Sequence, residues 1–217
     1  MSRRTLASTS DATARSVPSV VRLPVEESDA ALVAGVRAGR SESAAALFDR
    51  YAMHVQRVVA RVMGPDPEII DLVQDVFVAA LASIDTIKDP SSVRSWLTQT
   101  AVFRARARIR RRKRWRFVRL LPVDDLPEVE ANQADEEVSE ALRRTYQVLD
   151  RLDTDDRIAF TLRFLHGMEL TDVAAACSVS LATIKRRLTR AQSRFVELAR
   201  QEPALVPWID GGTRWTS

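Results

Sequence analysis

Residues 169–199 read ELTDVAAACSVSLATIKRRLTRAQSRFVELA, and this stretch decides the fold of the second half of the chain. Its first part predicts a short helix that Thr171 caps and whose small residues allow close packing. A three-residue turn, Cys177-Ser178-Val179, comes next, and Ser180 is placed to cap a second helix. The apolar residues of that second helix are spaced three and four apart, which predicts one buried stripe.

The opposite face of the second helix is basic, and it carries no acidic residue before Glu197. A short helix, a tight turn and a basic second helix are typical of a helix-turn-helix, whose second helix enters the major groove. An ordinary amphipathic helical hairpin is the alternative interpretation. The residues that we expect to contact DNA here are Ser180, Thr183, Lys185, Arg186, Arg187, Thr189 and Arg190.

Charge is also segregated upstream of this motif. Residues 94–119 contain eleven basic residues and no acidic one, whereas residues 124–140 contain eight acidic residues and no basic one. Cations crowded on one helix repel one another unless an anion screens them. Nucleic-acid contact therefore accounts for the basic run better than a solvated surface does, because neutralised phosphates release counterions. The acidic run, interrupted by Pro122 and Pro127, predicts an interdomain linker.

Apolar residues at helical spacing recur through the rest of the chain, with 46% hydrophobic residues and only six glycines among 217 residues. The pattern predicts an all-α protein of two small helical domains. Ser28 or Asp29 is expected to cap the first helix, and Ser91 or Ser92 the helix that carries Trp96. We expect a flexible N-terminal extension at residues 1–28 and a first domain at 29–117. An acidic flexible linker at 118–136 should lead to a second domain at 137–201 and a C-terminal tail at 202–217.

Composition argues against several classes of protein. The single cysteine, Cys177, excludes an internal disulfide and any multi-cysteine metal site. No apolar run approaches the roughly 18 residues of a membrane span, and no secretory signal is evident. His54 and His166 lie in helical patterns without a nucleophile or metal ligand in view, and no phosphate-binding glycine loop is present. We therefore expect a cytoplasmic protein that is not an enzyme and has no metal, cofactor or membrane partner.

Two blocks narrow the choice among DNA-binding proteins. The first, Asp71-Leu-Val-Gln-Asp-Val-Phe77 followed by Trp96-Leu97 and the arginine-rich helix, resembles region 2 of the extracytoplasmic-function sigma factors of bacterial RNA polymerase. The second, residues 138–200, resembles region 4 of the same family, above all in Gly167-Met-Glu-Leu-Thr-Asp-Val-Ala. The likeness covers roughly residues 30–200 and preserves the order of the two regions.

The resemblance implies a function in transcription initiation. The region 2 helix would bind the clamp of the largest subunit of core RNA polymerase through Asp71, Gln74, Asp75 and Phe77. The next loop and helix would capture and melt the −10 element, and the recognition helix would bind the −35 element. Family membership also implies an anti-sigma partner and, in the holoenzyme, association with the nucleoid. The −10 residues would be Lys88, Ser91, Ser92, Arg94, Arg104, Arg108, Arg110 and Arg111.

The sequence departs from the family pattern at three positions. Phe103 and Ala107 stand where the family usually has Asn and Asp, so −10 recognition is expected to differ. Ser178 stands where the turn normally contains glycine, and serine adopts such a turn less readily. Two other functions remain open at this point: a stand-alone helix-turn-helix regulator that does not bind core polymerase, and a basic RNA-binding protein. Trp96 is expected to lie in the core.

Overall fold

The computed structural model describes residues 27–119 and 133–210. Within these ranges the chain forms nine α-helices and no β-strand, so the all-helical fold expected from the sequence is confirmed. Nearly all of the predicted N-terminal extension and most of the predicted linker lie outside the described residues. The first region contains α1 to α4, at Asp29–Arg37, Ser41–Met63, Ile69–Ala82 and Val93–Arg119.

Short 3₁₀ turns at Ile84–Thr86 and Pro90–Ser92 join α3 to α4 in the first region. The second region contains α5 to α9, at Gln133–Asp150, Thr154–Phe160, Leu170–Cys177, Leu181–Ala199 and Val206–Asp210. A π-helical turn, Thr161–Leu165, continues α6. Part of the predicted C-terminal tail is therefore helical, and it packs on the core through Leu205 and Ile209.

Helix α2 shows why these residues fold as they do. Leu47, Tyr51, Val55, Val58 and Val62 recur every three or four residues, and all five are buried in the first core. Full burial of each such side chain contributes about 1.5–3 kcal/mol, so the stripe fixes which face of the helix points inward. The helix ends at Gly64, whose positive φ of 81° is a conformation that glycine adopts without steric cost.

Two of the predicted caps are wrong. Asp89, rather than Ser91 or Ser92, begins the turn before α4: its carboxylate accepts the Ser91 N–H at 2.9 Å and the Ser91 hydroxyl at 2.6 Å. The hydroxyl of Ser92 donates to the Asp89 carbonyl at 2.6 Å. Thr171 lies inside α7, whose N-cap residue is Glu169 with no side-chain hydrogen bond. Glu169 occupies the extended cap position of α7, so that helix begins before Thr171. Asp89 occupies the cap position of the 3₁₀ turn Pro90–Ser92, and the serine hydroxyls are used within that turn instead of capping α4.

The two regions pack against each other through a continuous apolar core. Ile158, Leu162, Val173 and Cys177 of the second region join the cluster formed by the first, in which Trp96 is half-buried as expected. A smaller second core contains Phe160 and Phe195, whose ring centroids lie 4.7 Å apart. We call this the closed arrangement: α6, the π-helical turn and α7 lie against α2 and α4.

Candidate nucleic-acid interface

The helix-turn-helix forms from α7, the turn at Ser178 and α8. Ser178 has φ 56° and ψ 44°, the left-handed conformation that the turn requires. Its hydroxyl accepts a hydrogen bond from Gln99 Nε2 of α4 at 2.6 Å. The turn residue with the strained backbone is therefore bonded to the first region. Ser180 caps α8 as expected, because its hydroxyl accepts the Thr183 N–H at 3.2 Å.

The first turns of α8 present free cations to solvent. Lys185 and Arg186 are exposed, and within the described residues neither forms an ion pair. Arg186 Nη2 lies 3.5 Å from the hydroxyl of Thr183, which is itself 2.9 Å from the Ser180 hydroxyl. Hydroxyls and guanidinium donors therefore converge at the end of the helix that a helix-turn-helix inserts into the major groove.

Two other arginines of α8 are occupied by acids at the start of α6. Arg190 makes a bidentate pair with the buried Asp156, with both nitrogen–oxygen distances at 2.6 Å. These hydrogen bonds raise the pKa of the Arg190 guanidinium. Arg187 Nη2 lies 3.1 Å from Asp155 Oδ2. Carboxylate and phosphate present similar oxygen pairs to a guanidinium, so these acids occupy donors that a phosphate could also bind.

Four arginines of the basic helix α4 are also paired with acids. Arg106 and Arg110 reach Asp155 at 2.9 and 3.2 Å, which makes this carboxylate a partner of both α4 and α8. Arg108 Nε donates to Glu68 Oε2 at 2.9 Å, and Arg112 pairs with Glu68 and with Asp66. Hydrogen bonds from Arg112 hold the pKa of Glu68 below its usual value. Arg104 and Arg111 are exposed and make no ion pair among the described residues.

The 3₁₀ segment between α3 and α4 is anchored from α1. Arg37 Nη2 donates to the carbonyls of Ile87 and Ile84, at 2.5 and 3.3 Å. This fixes the backbone on either side of the exposed Asp85 and Thr86, just before the exposed Lys88. Hydrogen bonds from Ser91 lower the pKa of the Asp89 carboxyl. The loop therefore has a defined conformation beside the first turn of α4.

Neither region offers a site for metal chemistry or a membrane span in the part of the chain that the structure describes. No three His, Cys, Asp or Glu side chains gather there in a way that would hold a metal ion. Burial raises the pKa of the Cys177 thiol, so this cysteine behaves as a core residue. Among the same residues, no helix is both long and apolar enough to cross a membrane.

Two family models match the chain over the segments that form these surfaces. Sigma-70 region 2 matches residues 47–115, and Sigma-70 region 4 matches residues 142–194, so the two matches together cover more than half of the chain. The chain belongs to the extracytoplasmic-function sigma factors of the sigma-70 family. It is an RNA polymerase sigma factor, and a stand-alone regulator is not favoured.

Relatives of this sigma factor match it along most of their length. The ECF RNA polymerase sigma-E factor of Escherichia coli (strain K12) is 28% identical over 178 residues, which are 76% of this chain and 90% of that protein. The RNA polymerase sigma factor CnrH of Cupriavidus metallidurans is 26% identical over 183 residues, 80% of this chain and 95% of its own length.

A solved structure shows the same fold. The structure of CnrH in complex with the cytosolic domain of CnrY superposes with a TM-score of 0.55 at 24% sequence identity. The match covers 81% of this chain and 99% of that one. This likeness, together with the two family models, confirms the division of the sigma factor into two helical regions.

The residues expected to bind core polymerase do not share one environment. Asp71, Gln74 and Asp75 are exposed on α3 and form one polar face. Phe77 is only 4% exposed, and its ring packs against Phe48 at a centroid distance of 4.7 Å. In this structure Phe77 supports α3 from the core side, whereas the three polar residues are available to a partner.

Sequence reasoning missed Asp155, the acid that joins the two regions of the sigma factor, and Asp156, which pairs with Arg190 inside the second region. In the sequence, Asp155 and Asp156 resemble the acidic residues that are common in the first turn of a helix, and that role needs no distant partner.

Arg157 is buried, and its Nη2 donates to the carbonyls of Val62 and Met63 at 3.0 and 2.9 Å. An arginine within an apolar helix pattern was the available signal, since a buried charge requires partners.

Proposed function

We propose that this sigma factor reads promoters with the exposed cations of α8 and α4 and that it must leave the closed arrangement to do so. The observation that supports this proposal most is the position of Asp155. One carboxylate neutralises Arg106 and Arg110 of the −10 helix and Arg187 of the −35 helix. A sigma factor bound to a promoter places these helices on separate DNA elements, so one acid cannot serve both.

The −35 element would be read at the N-terminal end of α8. Lys185 and Arg186 are free to reach base edges in the major groove, where arginine bonds guanine in bidentate fashion. Thr183 and Ser180 lie beside them and fit backbone or base contacts. Arg187, Thr189 and Arg190 would contact phosphates, once Arg187 and Arg190 exchange their carboxylate partners for phosphate.

The −10 element would contact the loop before α4 and the outer face of that helix. Lys88, Arg94, Arg104 and Arg111 are exposed and make no ion pair among the described residues, so they are available without rearrangement. Arg108 and Arg110 would have to release Glu68 and Asp155 first. Ser91 and Ser92 would act through the loop conformation that they set with Asp89.

Core RNA polymerase would bind the polar face of α3, with Asp71, Gln74 and Asp75 against the clamp of the largest subunit. Two ion pairs among the described residues cross between the regions, Arg106 and Arg110 with the partly buried Asp155, so core binding would have to replace these two charge contacts along with the shared apolar contacts. Polymerase binding would supply the free energy that separates the two regions, in line with population shift by a ligand that prefers one state.

The remaining assignments follow the family. The CnrH structure holds that sigma factor in complex with the cytosolic domain of CnrY, and we propose a protein partner of this kind, an anti-sigma factor, for this chain too. Such a partner would act by stabilising an arrangement in which promoter-binding cations are covered. The protein would work in the cytoplasm, on the nucleoid when part of the holoenzyme, without cofactor and without enzymatic activity of its own.

Transcription in vitro tests the proposal. Purified core polymerase, the full chain and a promoter library are expected to yield RNA with defined start sites. A variant with Asp71, Gln74 and Asp75 changed to Ala should lose core binding and RNA synthesis, while Asp49→Ala on the exposed face of α2 should retain both. If the chain binds promoter DNA tightly but neither binds core polymerase nor directs a start site, the polymerase role is wrong and a regulator role replaces it.

A further inference from the structure

Five basic side chains gather where α2, the first turn of α4 and the π-helical turn meet: His54, Arg57, Arg61, Arg94 and His166. We call them the junction cluster. On α2 the spacing of three and four residues places three of them on one face. His54 Nε2 lies 2.8 Å from the Thr98 hydroxyl, which donates to the Arg94 carbonyl at 2.9 Å. The start of α4 is thereby packed on this face of α2.

The second region is attached at the same place. The Tyr146 hydroxyl donates to the Arg61 carbonyl at 2.9 Å, and Arg157 binds the two carbonyls that follow along α2. The His166 N–H donates to the Thr161 carbonyl at 2.9 Å and ends the π-helical turn beside α2. The junction cluster therefore contains side chains from both regions, and its five members come together only in the closed arrangement.

The junction cluster lacks a counter-charge within the described part of the chain. Arg57, Arg61 and Arg94 are exposed and form no ion pair there, unlike Arg106, Arg108 and Arg112 further along α4. Glu169, close to His166 in sequence, lies 3.5 Å from Arg163 instead. Burial, followed by nearby positive charges, lowers the pKa of His166 and lowers that of His54 to about 4. Arg57 and Arg94 act on both histidines, and no acidic group offsets them.

A polyvalent anion satisfies this arrangement. Guanidinium groups bind phosphate oxygens through charge-assisted hydrogen bonds, and a histidine beside the anion adds a donor when it takes up a proton. We propose that the junction cluster is a binding site for a small oligophosphate anion, such as the diphosphate or triphosphate of a nucleotide. DNA is the poorer match, because the same closed arrangement holds Arg106 and Arg110 of α4 on Asp155 of the second region.

The site links anion binding to the arrangement of the two regions. A ligand that touches both regions binds the closed arrangement more tightly than an open one. By reciprocity it stabilises that arrangement by the same factor, so it lowers the affinity of the free chain for promoter DNA. A nucleotide anion would thus act as a negative effector at a surface that includes Arg94, one of the predicted −10 residues at the start of α4.

Nuclear magnetic resonance can test the site directly, because the chain has only two histidines. The imidazole nitrogens of the full chain are observed while pyrophosphate, and in a second arm ATP, is added at constant ionic strength. We expect saturable shifts of both histidines and a rise in the pKa of each, since a bound anion favours the charged imidazole. Changing Arg57 and Arg61 to Ala should weaken binding about tenfold or more, while Arg200→Ala, an exposed arginine at the end of α8, should not.

Three results would overturn the proposal. One is the absence of saturable shifts with either anion, or shifts that persist unchanged after Arg57 and Arg61 are replaced. Another is a response to short duplex DNA only, which would make the cluster a backbone contact. The third is pyrophosphate binding only after Asp124, Asp125, Glu128 and Glu130 are changed to Asn and Gln, which would make the acidic segment of the chain the occupant. None of these measurements involves polymerase, so they stand apart from the promoter-reading proposal.

Discussion

The two basic helices of this sigma factor carry similar side chains but distribute their ion pairs differently. On α4 the arginines at 106, 108, 110 and 112 all have carboxylate partners. On α8 the first cations, Lys185 and Arg186, form no ion pair among the described residues, and pairing begins only at Arg187. A count of basic residues would rank α4 as the stronger DNA-binding element, yet its free arginines at 94, 104 and 111 lie apart, whereas the free donors of α8 are adjacent at its N-terminal end.

The difference lies in acids far away in the sequence. Asp66 and Glu68 come from the turn between α2 and α3, and Asp155 and Asp156 come from the start of α6. Each of these two pairs of acids binds guanidinium groups that a phosphate could also bind. An unpaired cation gains the full benefit of a DNA contact, whereas a paired one gains only the difference between two anionic partners.

The largest expected effect concerns the most deeply paired arginine. Replacing Arg157 by Met leaves the carbonyls of Val62 and Met63 and the carboxylate of Asp150 without their donor. Loss of one member of a buried pair costs about 3 kcal/mol, so the urea midpoint should fall sharply. The exposed neighbour Arg151 is the matched control, and Arg151→Met should change stability little. Equal midpoints for the two variants would mean that burial of Arg157 does not stabilise the fold.

The free cations of α8 should matter more for DNA affinity than the paired ones. Arg186→Ala is expected to lose about 1–3 kcal/mol of binding to a −35 duplex selected from a random library. Arg187→Ala should lose less, because the wild-type side chain must first leave Asp155. Fluorescence anisotropy at fixed salt measures both, and binding to core polymerase should not change. A larger loss from Arg187 than from Arg186 would reverse the comparison.

Removing Asp155, the acid that α4 and α8 share, should make the paired arginines of both helices available to DNA. Asp155→Asn releases Arg106, Arg110 and Arg187, and the affinity of the free chain for DNA at low salt should rise several-fold, by about 1 kcal/mol. Asp172→Asn makes the same change in net charge at an exposed site on α7 that has no ion pair among the described residues. If both variants bind DNA equally well, net charge alone explains the effect and release of the arginines does not.

Local features of this molecule were accessible from its sequence, and distant pairings were not. The stripe of α2, the Ser180 cap and the left-handed turn at Ser178 depend on residues within a few positions of one another. The Thr171 cap failed because Glu169 already takes the extended conformation. Partners such as Arg106 and Asp155 lie 49 positions apart, so no periodicity or spacing rule joins them. The shared core of the two regions is invisible for the same reason.

A smaller effect is expected at the other end of α4, where His54 contacts Thr98. Burial, with the charges of Arg94, His166 and Arg57, lowers the pKa of His54 from 6.5 to about 4. The unfolded chain therefore binds this proton first, and stability is full above pH 6.5 and falls as the pH decreases towards 4. Because His54 is only half-buried, we expect a loss of about 1 kcal/mol between pH 7 and 5. His54→Gln should remove that part of the slope in urea titrations, and an unchanged slope would contradict the assignment.

The distance between α4 and α8 tests the central claim most directly. Spin labels at Ala107 and Ser193, both exposed, can be introduced with Cys177 replaced by Ala, and double electron–electron resonance then measures their separation. In the free chain we expect one short, narrow distance distribution, set by the closed arrangement. In the complex with core polymerase and promoter DNA the distance should lengthen as the two helices move to separate elements. The same distribution in both states would contradict the account, because Arg106 and Arg110 would then stay on Asp155 instead of binding DNA.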